Sequence, residues 1–141
     1  METVEEYLKL ADIDYNSAKV LLDSDIIISC VQHCVQAVEK CLKAFTLKYS
    51  TISDRNIMRS HDCYAIYSHC LNFGLNAFDN DIVDVISAFD GYYKTRYPSG
   101  SHIIITNEIA VESLKTAELI ISELKSVLLP CVSVSEDDAG I

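Results

Sequence analysis

Residues 26–49, IIISCVQHCVQAVEKCLKAFTLKY, constrain the fold of this chain more than any other stretch. Ile28, Val31, Val35, Val38, Leu42, Phe45 and Tyr49 recur three and four apart, the stripe of an α-helix about six turns long. A second row, Cys30, Cys34, Ala37, Cys41 and Ala44, lies beside the first and widens the apolar face. Ser29, Gln32, His33, Gln36, Glu39, Lys40 and Lys43 are left on one narrow polar face, open to water or to a partner. So wide a stripe needs neighbours on most sides, which places this helix at the centre of a bundle.

The rest of the chain supplies those neighbours. Val4, Leu8, Ala11, Tyr15, Ala18 and Leu22 predict a first helix over 3–23, with Thr3 as its N-cap and Glu5 and Glu6 in the first turn. Asp14 falls at the edge of that stripe, where a solvated flank and a buried structural role are both open. Ser24 and Asp25 leave room only for a short turn, so the first two helices are antiparallel neighbours. Residues 50–60 read as a polar connection, with Ser60 capping a third helix over 61–73 that Gly74 ends. A fourth helix starts near Asp79 or Asn80 and stops by Tyr97, ahead of Pro98. Thr106 caps the last helix, and Pro130 ends it. No repeat, Gly-rich phosphate loop or convincing strand appears. The expected architecture is an all-α up-and-down bundle of four or five helices over 1–129, with an acidic, disordered tail over 130–141.

Composition excludes several classes of function. Half of the 141 residues are apolar, too many for a disordered chain and enough for one cored domain. No apolar run approaches bilayer-spanning length and the N-terminus is acidic, so a membrane role is not expected and a cytoplasmic location is. Five of the six cysteines, Cys30, Cys34, Cys41, Cys63 and Cys70, fall inside helical patterns, where they read as small buried thiols in a reducing compartment. No metal or other cofactor is expected, because CxxC pairs and Glu-x-x-His are both lacking. A net charge of −10 repels phosphate backbones, so any contact with RNA needs a local site.

Four pieces in order resemble the HEPN domain family of prokaryotic helical bundles. Tyr7, Ala11, Asp14 and Ala18 look like its first helix, and QAVEKCLKA over 36–44 closely matches its second. His61-Asp62 is similar to a His-Asp-Leu at the start of its third helix, with Cys63 where leucine is usual. Tyr93 followed by Arg96, Tyr97 and Pro98 is the last distinctive piece, after which Thr106, Glu108 and Ala110 resemble the opening of the final helix. The resemblance implies a homodimer that interacts with a nucleotide or single-stranded RNA, often as a toxin paired with a small nucleotidyltransferase. It also implies, for some members, a metal-independent ribonuclease built on an arginine and a histidine with four to six residues between them. That spacing occurs here twice, from Arg55 to His61 and from Arg96 to His102.

The chemistry explains why those residue types are paired. A histidine exchanges a proton with a ribose 2′-hydroxyl or a leaving oxygen, while an arginine fork holds the phosphate as charge builds on it. Arg96 and His102 are the candidate catalytic pair, since they bridge the fourth helix and the cap of the last one. His33, Gln36 and Tyr97 are the candidate residues for binding a nucleotide or a partner. The alternative reading is a non-catalytic dimeric binding module that uses the same polar face of the central helix.

Overall fold

A computed structural model describes residues 2–51, 55–100 and 102–129, the side chain of Arg55 excepted; the segment 130–141, expected to be a disordered tail, lies outside them. The described chain is all-helical, as expected: α1 (Val4–Asp23), α2 (Ile27–Tyr49), α3 (Arg55–Arg59), α4 (Cys63–Leu71), α5 (Asn80–Lys94), a 3-10 turn (Pro98–Gly100) and α6 (Asn107–Leu128). The short α3 falls where the sequence reads only as a polar connection; five residues are too few for a stripe to show. Helix α4 begins two residues later than its pattern suggests, because Asp62 rather than Ser60 is the N-cap and accepts from the Ala65 amide at 3.2 Å. Ser60 Oγ instead accepts from the Asp62 amide at 3.0 Å, and His61 lies ahead of the helix, before the extended Asp62.

Both expected threonine caps are present. Thr3 and Glu6 form a reciprocal capping box on α1, and Thr106 Oγ1 accepts from the Ile109 amide on α6. Asp25, at φ 62°, carries the tight turn into α2. Helix α2 packs most extensively against α1 and next against α6 and α4, the central position its stripe calls for. Its second row is sealed: Cys30, Cys34, Ala37, Cys41 and Ala44 have no exposed surface. The first row is buried from Val31 to Phe45, whereas Ile28 is 51% exposed and Tyr49 is also exposed, because the ends of α2 project past its neighbours.

Polar cross-links set the directions of the helices. Asp12 with Lys125 and Tyr15 with Glu118 fix α1 antiparallel to α6. Cys63 Sγ donates to the Val35 carbonyl at 3.5 Å and Cys70 Sγ to the Leu42 carbonyl at 3.4 Å, so α4 runs alongside α2 in the same sense. The five described cysteines are free and buried. Burial pushes the Cys70 thiol up to about 11 and that of Cys41 to about 12, as for core groups rather than reactive ones. No described helix is long and apolar enough to cross a membrane.

Candidate functional site

The narrow polar face of α2 is solvated only in part. Glu39 and Lys43 pair at 2.9 Å across one turn, as their spacing allows, but at 7% and 6% exposure they lie within the bundle. Their burial follows from what crosses α2 here. The segment before α4 and the end of α5 close over this face, and the charge of Glu39 is felt at Tyr7, Cys63 and Tyr93. A buried carboxylate needs compensation, and Glu39 finds it twice: Lys43 on one oxygen and His61 Nδ1, at 3.1 Å, on the other.

That second contact organises a surface site. Because Glu39 holds Nδ1 of His61 as the N–H side, Nε2 is the nitrogen left to accept a proton, and the ring is 53% exposed. The imidazole stacks on Tyr93 with centroids 4.9 Å apart and planes 13° from parallel. The Arg96 guanidinium lies over the same tyrosine, 5.2 Å from its centroid. Tyr97 tilts against Tyr93 at 6.1 Å and is itself exposed. The side-chain hydrogen bond with Tyr97, and then burial, raise the pKa of Tyr93. Among the described residues no carboxylate pairs with Arg96, although the chain carries 21 acidic residues.

Local structure explains how Arg96 is presented. Helix α5 ends at Lys94, and Gln32 of α2 donates to Thr95 Oγ1 at 3.1 Å, tying the helix end to the bundle. The backbone then turns sharply through Pro98–Gly100. Gly100 is buried so close to the end of α5 that a Cβ there would stand 2.2 Å from the Lys94 carbonyl oxygen, which only glycine avoids. This side of the arginine is therefore a packed turn and not a loose tether.

His102 lies two residues beyond that turn and is exposed, and no hydrogen bond or ring contact among the described residues joins it to Arg96. The histidine brought beside Arg96, through Tyr93, is His61. His33 sits elsewhere on α2: its Nδ1 meets Asp14 Oδ1 at 3.0 Å, while Lys40 holds the other carboxylate oxygen. Asp14 is buried, so its position at the stripe edge marks a structural link between α1 and α2. His33 also lines an open depression with Ile13, Ser17 and Val20. Gln36 is half-buried on the same face.

Two members of the site read differently in the sequence: Glu39 as one of a polar face open to water or a partner, and His61 as a helix-start residue that also ends the spacing from Arg55. The available signal was Glu39 on a helix almost fully covered by neighbours, a position that calls for a polar partner. Among the described residues no group of three or more His, Cys, Asp or Glu side chains is placed to hold a metal ion.

The HEPN domain family model matches residues 4–127. Two solved structures are similar: an archaeal HEPN homologue, at 20% identity and a TM-score of 0.66, and the Thermus thermophilus protein TT1696, at 19% and 0.67. Each similarity covers 89% of this chain and 98% of the other. None of the curated proteins compared with the chain matches it. The matched span includes every helix described above, from α1 to the last turn of α6, and on it the chain belongs to the HEPN domain family.

Proposed function

We propose that this HEPN protein binds a nucleotide or single-stranded RNA through the Tyr93–Arg96–Tyr97 surface, as a homodimer and in company with a nucleotidyltransferase. The observation that carries the reading is Arg96 lying over Tyr93 with no carboxylate partner among the described residues. On a chain of net charge −10, a guanidinium held on an aromatic ring and left without a counter-ion suits a phosphate. Tyr97 beside it offers a face for a base. Ile104, 80% exposed a few residues further on, favours a second subunit close to the same surface. His33, which lines the apolar depression at Ile13 and Val20, and Gln36 further along α2 suit the partner protein better than a phosphate.

A ribonuclease form of the same reading is favoured by the Glu39–His61 contact. A base whose second nitrogen is fixed by a carboxylate is the arrangement that proton transfer needs. His61 or His102 would take the proton from a ribose 2′-hydroxyl as its oxygen bonds to phosphorus, and the P–O5′ bond would break as a protonated imidazole returns a proton to the 5′-oxygen, with Arg96 on the phosphate. Such cleavage proceeds in EDTA and leaves a 2′,3′-cyclic phosphate.

The test is titration of the purified protein with ATP and with fluorescein-labelled single-stranded RNA of about ten nucleotides. Wild-type protein is expected to bind one of them, and Arg96→Ala to weaken that binding by about tenfold at unchanged melting temperature. Cleavage of the RNA, assayed with His61→Ala and His102→Ala, identifies which histidine moves the proton. A wild type that neither binds nor cuts removes the reading, and a monomer by light scattering removes its dimeric form.

A further inference from the structure

Helices α5 and α6 touch over a short length only, and three adjoining depressions run along the gap, of about 430, 340 and 200 Å³. They share walls: Asp81, Val85 and Glu112 belong to the first two, Ile82 and Leu119 to the first and third. Together they form one groove from Phe78 to Tyr92, about 20 Å along α5. Its floor is apolar, with Val85, Ile82 and Val111, and Leu119 stands 57% exposed within it. Its walls are acidic on both sides, Asp79, Asp81 and Asp84 from α5 and Glu108, Glu112 and Glu123 from α6, against the single cation Lys115.

We infer that this groove receives a basic amphipathic helix of another polypeptide, whose apolar stripe covers Leu119 and Ile82 while its Lys and Arg residues meet the two acidic walls. Charge selects this occupant. A second copy of the chain carries a net charge of −10 and would set acid against acid. Residues 130–141 hold Glu136, Asp137 and Asp138 and no lysine or arginine, so the chain's own C-terminal segment fits no better. Nucleic acid is repelled for the same reason. The length accommodates about 13 helical residues, enough for anchors at i, i+3, i+4 and i+7. Tyr93, Arg96 and Tyr97 do not line the groove, whose Tyr92 end adjoins them, and the inference does not depend on phosphate binding there.

The probe is a synthetic helical peptide of about 14 residues with leucines on one stripe and lysines elsewhere. Its controls are a scrambled peptide of equal charge and one with glutamate for lysine. Fluorescence anisotropy is expected to show saturable binding of the amphipathic peptide, and binding at least about tenfold weaker for both controls. Leu119→Ser is expected to weaken it by about tenfold, while leaving the melting temperature and any ATP or RNA binding unchanged; Asp84→Lys with Glu112→Lys, which also lessens the general repulsion of phosphate, is expected to weaken it by about tenfold at an unchanged melting temperature. These three side chains are exposed, so their replacement should not perturb the core. Equal binding of the scrambled peptide, or indifference to Leu119→Ser, would reduce the effect to general charge attraction and overturn the inference. A change of oligomeric state in the Leu119 variant would overturn it too, by making the groove a contact between copies.

Discussion

Two places along α2 repeat one chemical arrangement: a carboxylate held between a lysine and the Nδ1 of a histidine. At Asp14 the lysine is Lys40 and the histidine His33, 3.0 Å away; at Glu39 they are Lys43 and His61, 3.1 Å away. The difference lies in the geometry of supply. Asp14 comes from α1 to a histidine and a lysine that both lie on α2 and stay partly open to water, so the cluster stitches two helices together. Glu39 and Lys43 are both buried on α2 itself, and the histidine arrives from the segment before α4 and faces Tyr93 and Arg96. One arrangement thus serves as a helix–helix link where its outer residue meets an apolar depression, and as the foundation of a candidate site where its outer residue stacks on the tyrosine that carries Arg96.

The largest expected consequence of that difference is in stability. Glu39→Ala leaves the Lys43 ammonium buried without a counter-charge, and is expected to cost about 3–5 kcal/mol in urea unfolding. The double replacement Glu39→Leu with Lys43→Met removes both charges at similar volume and should recover most of that loss. If the double variant is no more stable than Glu39→Ala, the pair is not the electrostatic unit its burial implies.

Asp14→Ala removes a carboxylate equally well covered, but the groups it abandons have an exit. Lys40 and His33 are partly exposed and rehydrate, so the expected loss is smaller, about 1–3 kcal/mol. The same urea series checks it. A loss at Asp14 as large as that at Glu39 would erase the distinction between a link and a buried pair.

How far this was legible in the sequence depends on which kind of information each residue carried. The five main helices, the caps at Thr3 and Thr106 and the sealed row from Cys30 to Ala44 follow from periodicity and local hydrogen-bonding chemistry, which act over a few residues. The burial of Glu39 and Lys43 does not, because it is decided by the segments that cross α2 from 20 and more residues away. Their i,i+4 pairing was legible; their covering was not. Arg96 and Tyr97 stood out by type and order, yet the histidine placed beside them, His61, lies 35 residues upstream by numbering, and only the packing of α5 against the start of α4 joins them. Gly100 shows the same limit: in the sequence it reads as part of an irregular segment, and the close approach to Lys94 that requires it exists only in three dimensions.

The smallest expected stability effect separates the two clusters by function. His33→Ala and His61→Ala each remove a partly exposed ring and one hydrogen bond to a carboxylate that keeps its lysine, so each is expected to cost about 1 kcal/mol or less. On binding of ATP or single-stranded RNA the two should part. His61 stacks on the tyrosine that carries Arg96, and its loss frees that ring to reorient, so His61→Ala is expected to weaken phosphate binding by several-fold, on the order of 1 kcal/mol. His33 stands apart from that stack beside Ile13 and Val20, and His33→Ala should leave phosphate binding unchanged. Anisotropy titrations of the two variants against wild type, at matched ionic strength, measure both. Should His33→Ala weaken phosphate binding as much as His61→Ala, the ligand would span the whole polar edge of α2, and the two clusters would be halves of one site.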